Sequence, residues 1–579
     1  MLELVSALAN SQRALQREHQ KALEPMVVHI ESMVPIQKRM TGILPPQSVC
    51  DELVDFYFNV METMYPIIHK ASFIREYKEY WDGKSENDSL LPRLLCILCF
   101  GTRFGPSSSG YRSSIHIPTA CVLVRDWLDG VRNKDRVDAF TLQTELLLRL
   151  AQWTIGVQKQ AAWAHFGYVV RMAMEMGLHQ DPSDLAGISE FNKEYRRKLW
   201  YAIMEMDFHL SLARNRIPLL GQKDYSCQPP RNRSDSELPV DARVLPESKP
   251  IEQVTDSHVQ AFVARTLPMR MEAVELLARL DSTEDQRRVL EVGSRLEKIL
   301  DVINDRFPRH ILGKGDKHKT WRVRVLLDFH LRRPLMALYR PVVVGRANCS
   351  AHILWGFLRS CMAVLRYLDD EPVDDRSIGS ELSVLSLFVL QQALIEAAID
   401  VCWFIKQARE VNFANGLMWV PPPNSAHGGA PEPGAGNYIW SVNGMVQTVE
   451  RTIDRLTSLV HQGRSSHIGD VVALVILLVI VQPGATGEKL SIIQARLQHL
   501  NAVCSQAHSS SPSPAVCPKV ADPSRKLPSL YGEPLITDRF MRSRPLDLAS
   551  LTWADVLMHW EDCVSRKGES ADGTPEVWA

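Results

Sequence analysis

An excess of charge of either sign is missing from this chain. Its 579 residues carry 66 Lys and Arg against 67 Asp and Glu, a formal net charge of −1. A duplex-binding domain usually holds a basic surplus, because neutralising phosphates supplies much of its affinity. A chain-wide electrostatic footprint for nucleic acid is therefore excluded, although a local patch is not. Cysteine is sparse and scattered: there are 11, an odd number, and only Cys96 and Cys99 sit close together. That is no disulfide framework, and it suits a reducing compartment. Long apolar runs are lacking too. The longest, Val471 to Val481, is bounded by Asp470 and by Gln482-Pro483, well short of the ~20 residues a membrane-spanning helix needs, and it reads as a buried helix. The opening MLELVSALANSQRALQREHQ has a polar helix pattern and not that of a signal peptide. The expectation is a soluble intracellular protein.

What is present is ordinary globular material, with 45% hydrophobic and 23% charged residues, enough to bury a large core. No strand alternation recurs and no fixed-period repeat is visible. The pattern predicts an all-α class: a large array of packed helices with two loops rich in Pro, Gly and Ser, at 421–437 and 509–528, whose composition predicts flexibility. Residues 1–46 read as an N-terminal helix (2–24), compatible with a short coiled coil, followed by a Pro-punctuated linker. Residues 47–345 read as one helical domain and 346–579 as a C-terminal helical region. Leu53, Phe56, Tyr57 and Val60 share a face in a helix that Pro66 should end. Further helices are predicted near 89–103, 117–130, 137–153, 158–176, 190–213, 257–306, 318–339, 350–368 and 378–411.

Most motifs that could carry chemistry fail on context. Trp81-Asp82-Gly83-Lys84-Ser85 contains a Gly-Lys-Ser, but a phosphate loop needs an earlier glycine, where Lys78 stands, and a preceding strand. It reads as a helix-ending turn. Cys96 and Cys99 have metal-ligand spacing, yet their neighbours are Leu94, Leu95, Ile97, Leu98 and Phe100, and zinc needs four ligands. They read as core cysteines. The 18 histidines form no two-histidine helical zinc motif with an intervening glutamate, and neither a Gly-x-Ser-x-Gly elbow nor a dinucleotide glycine fingerprint occurs. No reaction, catalytic residue, metal or cofactor is predicted for this chain.

The clearest local signal lies in 158–213. Ala161, Ala162, Tyr168, Val169, Met172, Ala173 and Met176 form an apolar helical stripe,. Gly177 follows as a left-handed cap with Leu178 folding back, and Asp181-Pro182 prevents continuation. Phe191, Tyr195, Leu199, Ile203, Met206 and Leu210 line the next helix. Asp207 falls among apolar residues, and a buried carboxylate needs a partner. A structural ion pair with Arg171, Arg214 or Arg216 is expected. Arg196-Arg197-Lys198 reads as a solvated basic face, with a phosphate or partner contact as the alternative.

These residues, in this order, resemble the fungal-specific transcription factor domain, the middle region of zinc-cluster and related fungal regulators. The resemblance rests on Ala173-x-x-x-Gly177-Leu178-His179, Asp181-Pro182, Glu194-x-Arg196-Arg197-x-x-Trp200 and then Asp207. Ser211 matches as well, while Asn215-Arg216-Ile217-Pro218 replaces the usual Gly-Arg-Pro, and Pro229-Pro230-Arg231-Asn232 supplies the later turn. Leu53 to Tyr57, Tyr65-Pro66-Ile67-Ile68-His69 with Phe73, and Leu338-Tyr339-Arg340-Pro341 frame the block. Gly177, His179, Arg196, Arg197, Trp200 and Asp207 are thus candidate motif residues with packing roles.

The resemblance implies a nuclear transcription regulator, with control of a metabolic or secondary-metabolite gene cluster as an expectation. The alternative is a non-DNA-binding interaction or repressor protein acting through a full-length partner. Zinc-cluster regulators read DNA with six closely spaced cysteines in a basic segment, and no such segment occurs here, the first cysteine being Cys50. Either the chain begins after a finger, or it acts through a partner, or a divergent helix touches DNA. Zinc is expected only if an N-terminal finger lies outside this sequence. Implied partners are DNA (indirectly or through such a module), the transcription machinery or a related regulator, and a second copy in a homodimer. No membrane is implied.

Overall fold

The computed structural model describes residues 34–84, 89–104, 115–131, 137–154, 159–214, 216–240, 242, 244–250, 253–278, 283–307, 317–345, 349–367, 390–409, 441–461 and 468–509. Among them are sixteen α-helices and no strand. In chain order these are α1 (Ile36–Gly42), α2 (Gln47–Val60), α3 (Lys70–Trp81), α4 (Leu90–Phe104), α5 (Ile117–Gly130), α6 (Ala139–Thr154), α7 (Lys159–Glu175) and α8 (Glu190–Leu212). They continue with α9 (His258–Leu277), α10 (Thr283–Arg306), α11 (Lys317–Gly345), α12 (Ala351–Arg366), α13 (Gln391–Arg409), α14 (Val442–His461), α15 (Ile468–Val481) and α16 (Thr486–Ser509). Single 3-10 turns sit at Pro182–Asp184 and Asp235–Glu237. The expected helix at 2–24, the loop at 421–437 and all of 509–528 beyond Ser509 lie outside the described residues.

Periodicity placed most of these helices, and the differences have local causes. α2 ends at Val60 and not at Pro66, because Glu62 draws the chain into a tight turn: one carboxyl oxygen accepts the Ile68 N–H at 2.7 Å and the other the Tyr57 hydroxyl at 3.0 Å. The stretch 257–306 is two helices. The first of them ends at Leu277 and the second begins at Thr283. The apolar run 471–481 falls inside α15, where Val471, Leu474, Val475 and Leu478 are buried. Gly83, at φ +69°, follows α3 as a helix-ending turn, and Cys96 and Cys99 are buried free thiols.

One cluster of buried apolar side chains runs from Met40 to Leu500. α8 lies deep within it and packs on α7 and α9. Every residue from Arg197 to Leu212 is buried. A helix buried on all faces cannot turn its polar residues to water, so each must find a partner inside. That requirement organises the site.

Candidate functional site

The turn after α7 is built as its residues predict. Gly177 has φ +70°, a left-handed conformation in which a side chain would be strained. The Leu178 N–H donates to Ala173 O at 3.0 Å and the Gly177 N–H to Met174 O at 2.8 Å, the paired bonds of a Schellman cap. Leu178 then buries against the core. The His179 carbonyl accepts the N–H groups of Ser226 and Cys227 at 2.9 and 3.1 Å, and its ring lies 6.3 Å from that of Trp200. Trp200 is fully buried, with Tyr225 on another side at 5.9 Å. Asp181 caps the 3-10 turn through the Ser183 N–H and also accepts from the Gln228 N–H at 2.9 Å.

Two expectations need correction. Arg196-Arg197-Lys198 is no solvated face. Arg197 clamps Asp181 with two bonds of 3.0 and 2.9 Å, and Lys198 pairs with Asp235 at 2.8 Å. Arg196 donates to Met176 O at 2.8 Å, satisfying a carbonyl at the C-terminal end of α7, where cations are favoured. Three basic side chains in a row thus become tethers, because the chain returns over them after the helix. The Arg197 guanidinium, with the Ser183 hydroxyl and two backbone N–H groups, holds the Asp181 carboxyl well below the usual carboxylate range against the effect of burial.

Asp207, the second correction, is buried but makes no ion pair among the described residues. Its carboxylate accepts the Leu219 N–H at 2.8 Å, pinning the segment that follows α8. Burial pushes its carboxyl up to about 6, and only that backbone N–H pulls the other way. Arg171 donates instead to Gly167 O within its own helix.

A deeply buried charge pair on α8 was not expected. Glu205 on α8 and Arg270 on α9 form a two-bond pair at 2.6 and 2.7 Å, with Arg270 also over the Phe208 ring at 4.9 Å. His209 Nε2 lies 2.9 Å and His330 Nε2 3.5 Å from the same Glu205 oxygen. Donor atoms of Glu205, His209 and His330 fall within 4.8 Å of one another, which is metal-ligand spacing. The charges do not favour a dication there. Arg270 already occupies both carboxylate oxygens, and Arg270 and Arg333 both act to lower the His209 imidazole alongside its burial. The group is better described as an ion pair flanked by two neutral imidazoles: burial takes His330 down to about 3, and its Nδ1 meets Leu326 O at 2.6 Å.

Beside this network opens a cleft of about 410 Å³. Phe58, Ile68, Phe191, Leu238, Val259 and Leu326 give it apolar walls, and Lys70, Lys198, Arg322, Asp235 and Asp256 stand around it. Glu62 closes one side, its carboxyl pushed by burial up to about 8. His69 closes another. Its Nδ1 is 2.9 Å from the Ser72 hydroxyl, its ring meets Phe191 edge to face at 4.8 Å, and its Nε2 has no hydrogen-bond partner. Burial lowers its imidazole below the ordinary value.

Residues 54–305 match the family model for the fungal specific transcription factor domain. The match covers less than half of this chain. The segment includes the capped turn, the tethers of α8 and most of the cleft. Similar proteins include a transcription factor, opdR, of Penicillium oxalicum, 31% identical over 56% of this chain and 42% of its own length. A second, asR3 of Sarocladium schorii, is 27% identical over 48% of this chain and 33% of its own length. The equisetin cluster transcription factor eqxF of Fusarium heterosporum is 25% identical over 63% of this chain and 55% of its own length. The matched part is thus less than two thirds of each relative. No solved structure matches.

Within the matched segment, all six motif residues gather at the α7–α8 junction or along α8, and none lines the cleft. Glu205 and His209 carried a readable signal, an i, i+4 polar pair on an apolar helix. Their partners Arg270 and His330 carried none, being distant in the chain. His69 stood in the opening motif but only the fold brings it to Lys198. No helix among the described residues is long and apolar enough to cross a membrane.

Proposed function

We propose that the protein is a nuclear transcription regulator in which the fungal specific transcription factor domain is the regulatory body, and that it controls a metabolic or secondary-metabolite gene cluster. The observation that carries this reading is the match over residues 54–305, together with relatives named as transcription factors, one of them of a biosynthetic cluster. The architecture supports it: the motif residues are fasteners, which hold a scaffold together and supply no acid–base pair or nucleophile. The reading assigns no reaction and no cofactor to this chain. Zinc would belong to an N-terminal cysteine-rich module. DNA is reached through such a module or through a related regulator, and a homodimer is compatible with that arrangement.

The test is disruption of the gene followed by transcript sequencing, with a fluorescent fusion to place the protein. The expected result is a nuclear signal and loss or gain of expression confined to a contiguous gene set. An unchanged transcriptome under conditions that express the protein, or a fusion excluded from the nucleus, would overturn the proposal.

A further inference from the structure

We infer that the cleft between α2, α3, α8, α9 and α11 is a binding site for a small amphipathic monoanion, a molecule with an apolar body and one carboxylate or enolate, seated against His69. As a binding site it goes beyond the regulatory reading; its use as an effector site rests on that reading.

Size and lining set the class of ligand. A volume of about 410 Å³ lies within the roughly 300–1,000 Å³ of small-molecule sites. The apolar walls, with Phe58 and Phe191 the largest, ask for a hydrocarbon or ring body. The charged groups around it are Lys70, Lys198 and Arg322 against Asp235 and Asp256, and Glu62 is held toward its neutral acid form at neutral pH. Cations therefore outnumber anions by one, which favours a single negative charge and disfavours an amine.

Polar partners point the same way. Both carboxylates are already engaged, Asp235 by the Lys198 ammonium at 2.8 Å and Asp256 by the Asp235 N–H at 3.0 Å. The Lys198 ammonium has three protons and gives one to Asp235. His69 is 9% exposed and its Nε2 is left without a partner. A buried ring nitrogen is normally satisfied. In the tautomer whose Nδ1 accepts the Ser72 hydroxyl, Nε2 carries the proton and is the donor that an anion's oxygen against this ring requires.

The experiment uses the purified full chain, with 8-anilinonaphthalene-1-sulfonate as a fluorescent amphipathic anion, displaced by octanoate, octan-1-ol or octylamine. Expected are saturable one-site binding and displacement by octanoate at concentrations at least about tenfold below those of the alcohol and the amine, as a charge-assisted hydrogen bond implies. Thr63 lines the cleft, and Thr63→Trp, which fills it, should remove the dye signal while circular dichroism and the melting temperature stay as in the parent. His69→Leu, a second variant, should weaken octanoate at least about fivefold and octan-1-ol little. The inference is overturned by non-saturable binding, by dye binding that neither variant changes, or by a preference for octylamine. Because binding is read on purified protein, its failure is separate from a failure of the transcript test.

Discussion

Two arginine–carboxylate clamps on the same helix invite comparison. Asp181–Arg197 ties the turn before α8 to its second turn, and Glu205–Arg270 ties the middle of α8 to α9. Their geometries are alike, two short bonds each. Their surroundings differ: side-chain exposure is 16% and 9% for the first pair but 6% and 0% for the second. The outer clamp joins residues close in sequence and is helped by backbone N–H groups; the inner one joins distant helices in the dry core. The outer pair sets a local conformation, and the inner pair sets which helix packs on which. Losing one partner should therefore cost more inside, where the remaining charge has no water to turn to.

That difference can be broken experimentally. Arg270→Met, leaving Glu205 unpaired in the core, should lower stability by about 3–5 kcal/mol, and the double variant Arg270→Met with Glu205→Leu should recover much of it. Urea unfolding followed by circular dichroism measures both, and a single-variant loss under about 1 kcal/mol would remove the distinction between the clamps. Arg197→Ala at the outer clamp should cost about 1.5–3 kcal/mol. Its pH dependence sharpens the contrast. The Asp181 carboxyl is held low in the fold, so its stabilisation is present above its ordinary value of about 4 and is lost as pH falls through the folded value. The gap between parent and Arg197→Ala should therefore narrow in acid.

Smaller effects test the surroundings of the clamps. Gly177→Ala should cost about 1–2 kcal/mol through the left-handed backbone alone, because the nearest atom to an added methyl, in Arg196, is 3.5 Å away. Glu62 behaves oppositely to Asp181. Its folded carboxyl stands at about 8 against about 4.3 unfolded, so the native state binds the extra proton. Parent stability should then decline as pH rises between those two values and level off above the higher. Glu62→Gln should lack that decline, and melting curves at three pH values would reveal a slope retained by the variant. Asp207→Asn should be nearly silent, within about 0.5 kcal/mol at neutral pH, because an amide oxygen still accepts the Leu219 N–H; a multi-kcal loss would restore the ion-pair idea rejected above.

The same comparison explains what the sequence made legible. Gly177, Leu178 and the Asp181-Pro182 turn were readable because a cap is a local object, specified by neighbours within a few residues. Trp200 and Asp207 were correctly read as inward-facing because helical periodicity states which residues share a face. The partner of Asp207 was misread, since a carboxylate accepts from a backbone N–H as readily as from arginine and backbone groups leave no trace in composition. Arg196-Arg197-Lys198 looked solvated for a related reason: periodicity cannot say that Asp235 and Met176 O will lie over that face. The inner clamp and the cleft were out of reach. Arg270, His330 and Arg322 meet α8 or the opening segment only after the helices pack.

Asn232 shows how this body could accommodate change. The two protons of its side-chain NH2 are shared among the carbonyls of Lys249, Pro250 and Gln253 at 3.2, 2.9 and 3.0 Å, its oxygen takes the Thr255 hydroxyl at 2.6 Å, and its own carbonyl receives the Lys249 N–H at 2.9 Å. One residue thus knots together both ends of an excursion whose outer part includes the highly exposed Val244. Lengthening a loop closed at its base costs only the logarithm of its size. Inserting residues between Leu238 and Ser248 should therefore leave the aspartates that border the cleft, Asp235 and Asp256, in their places.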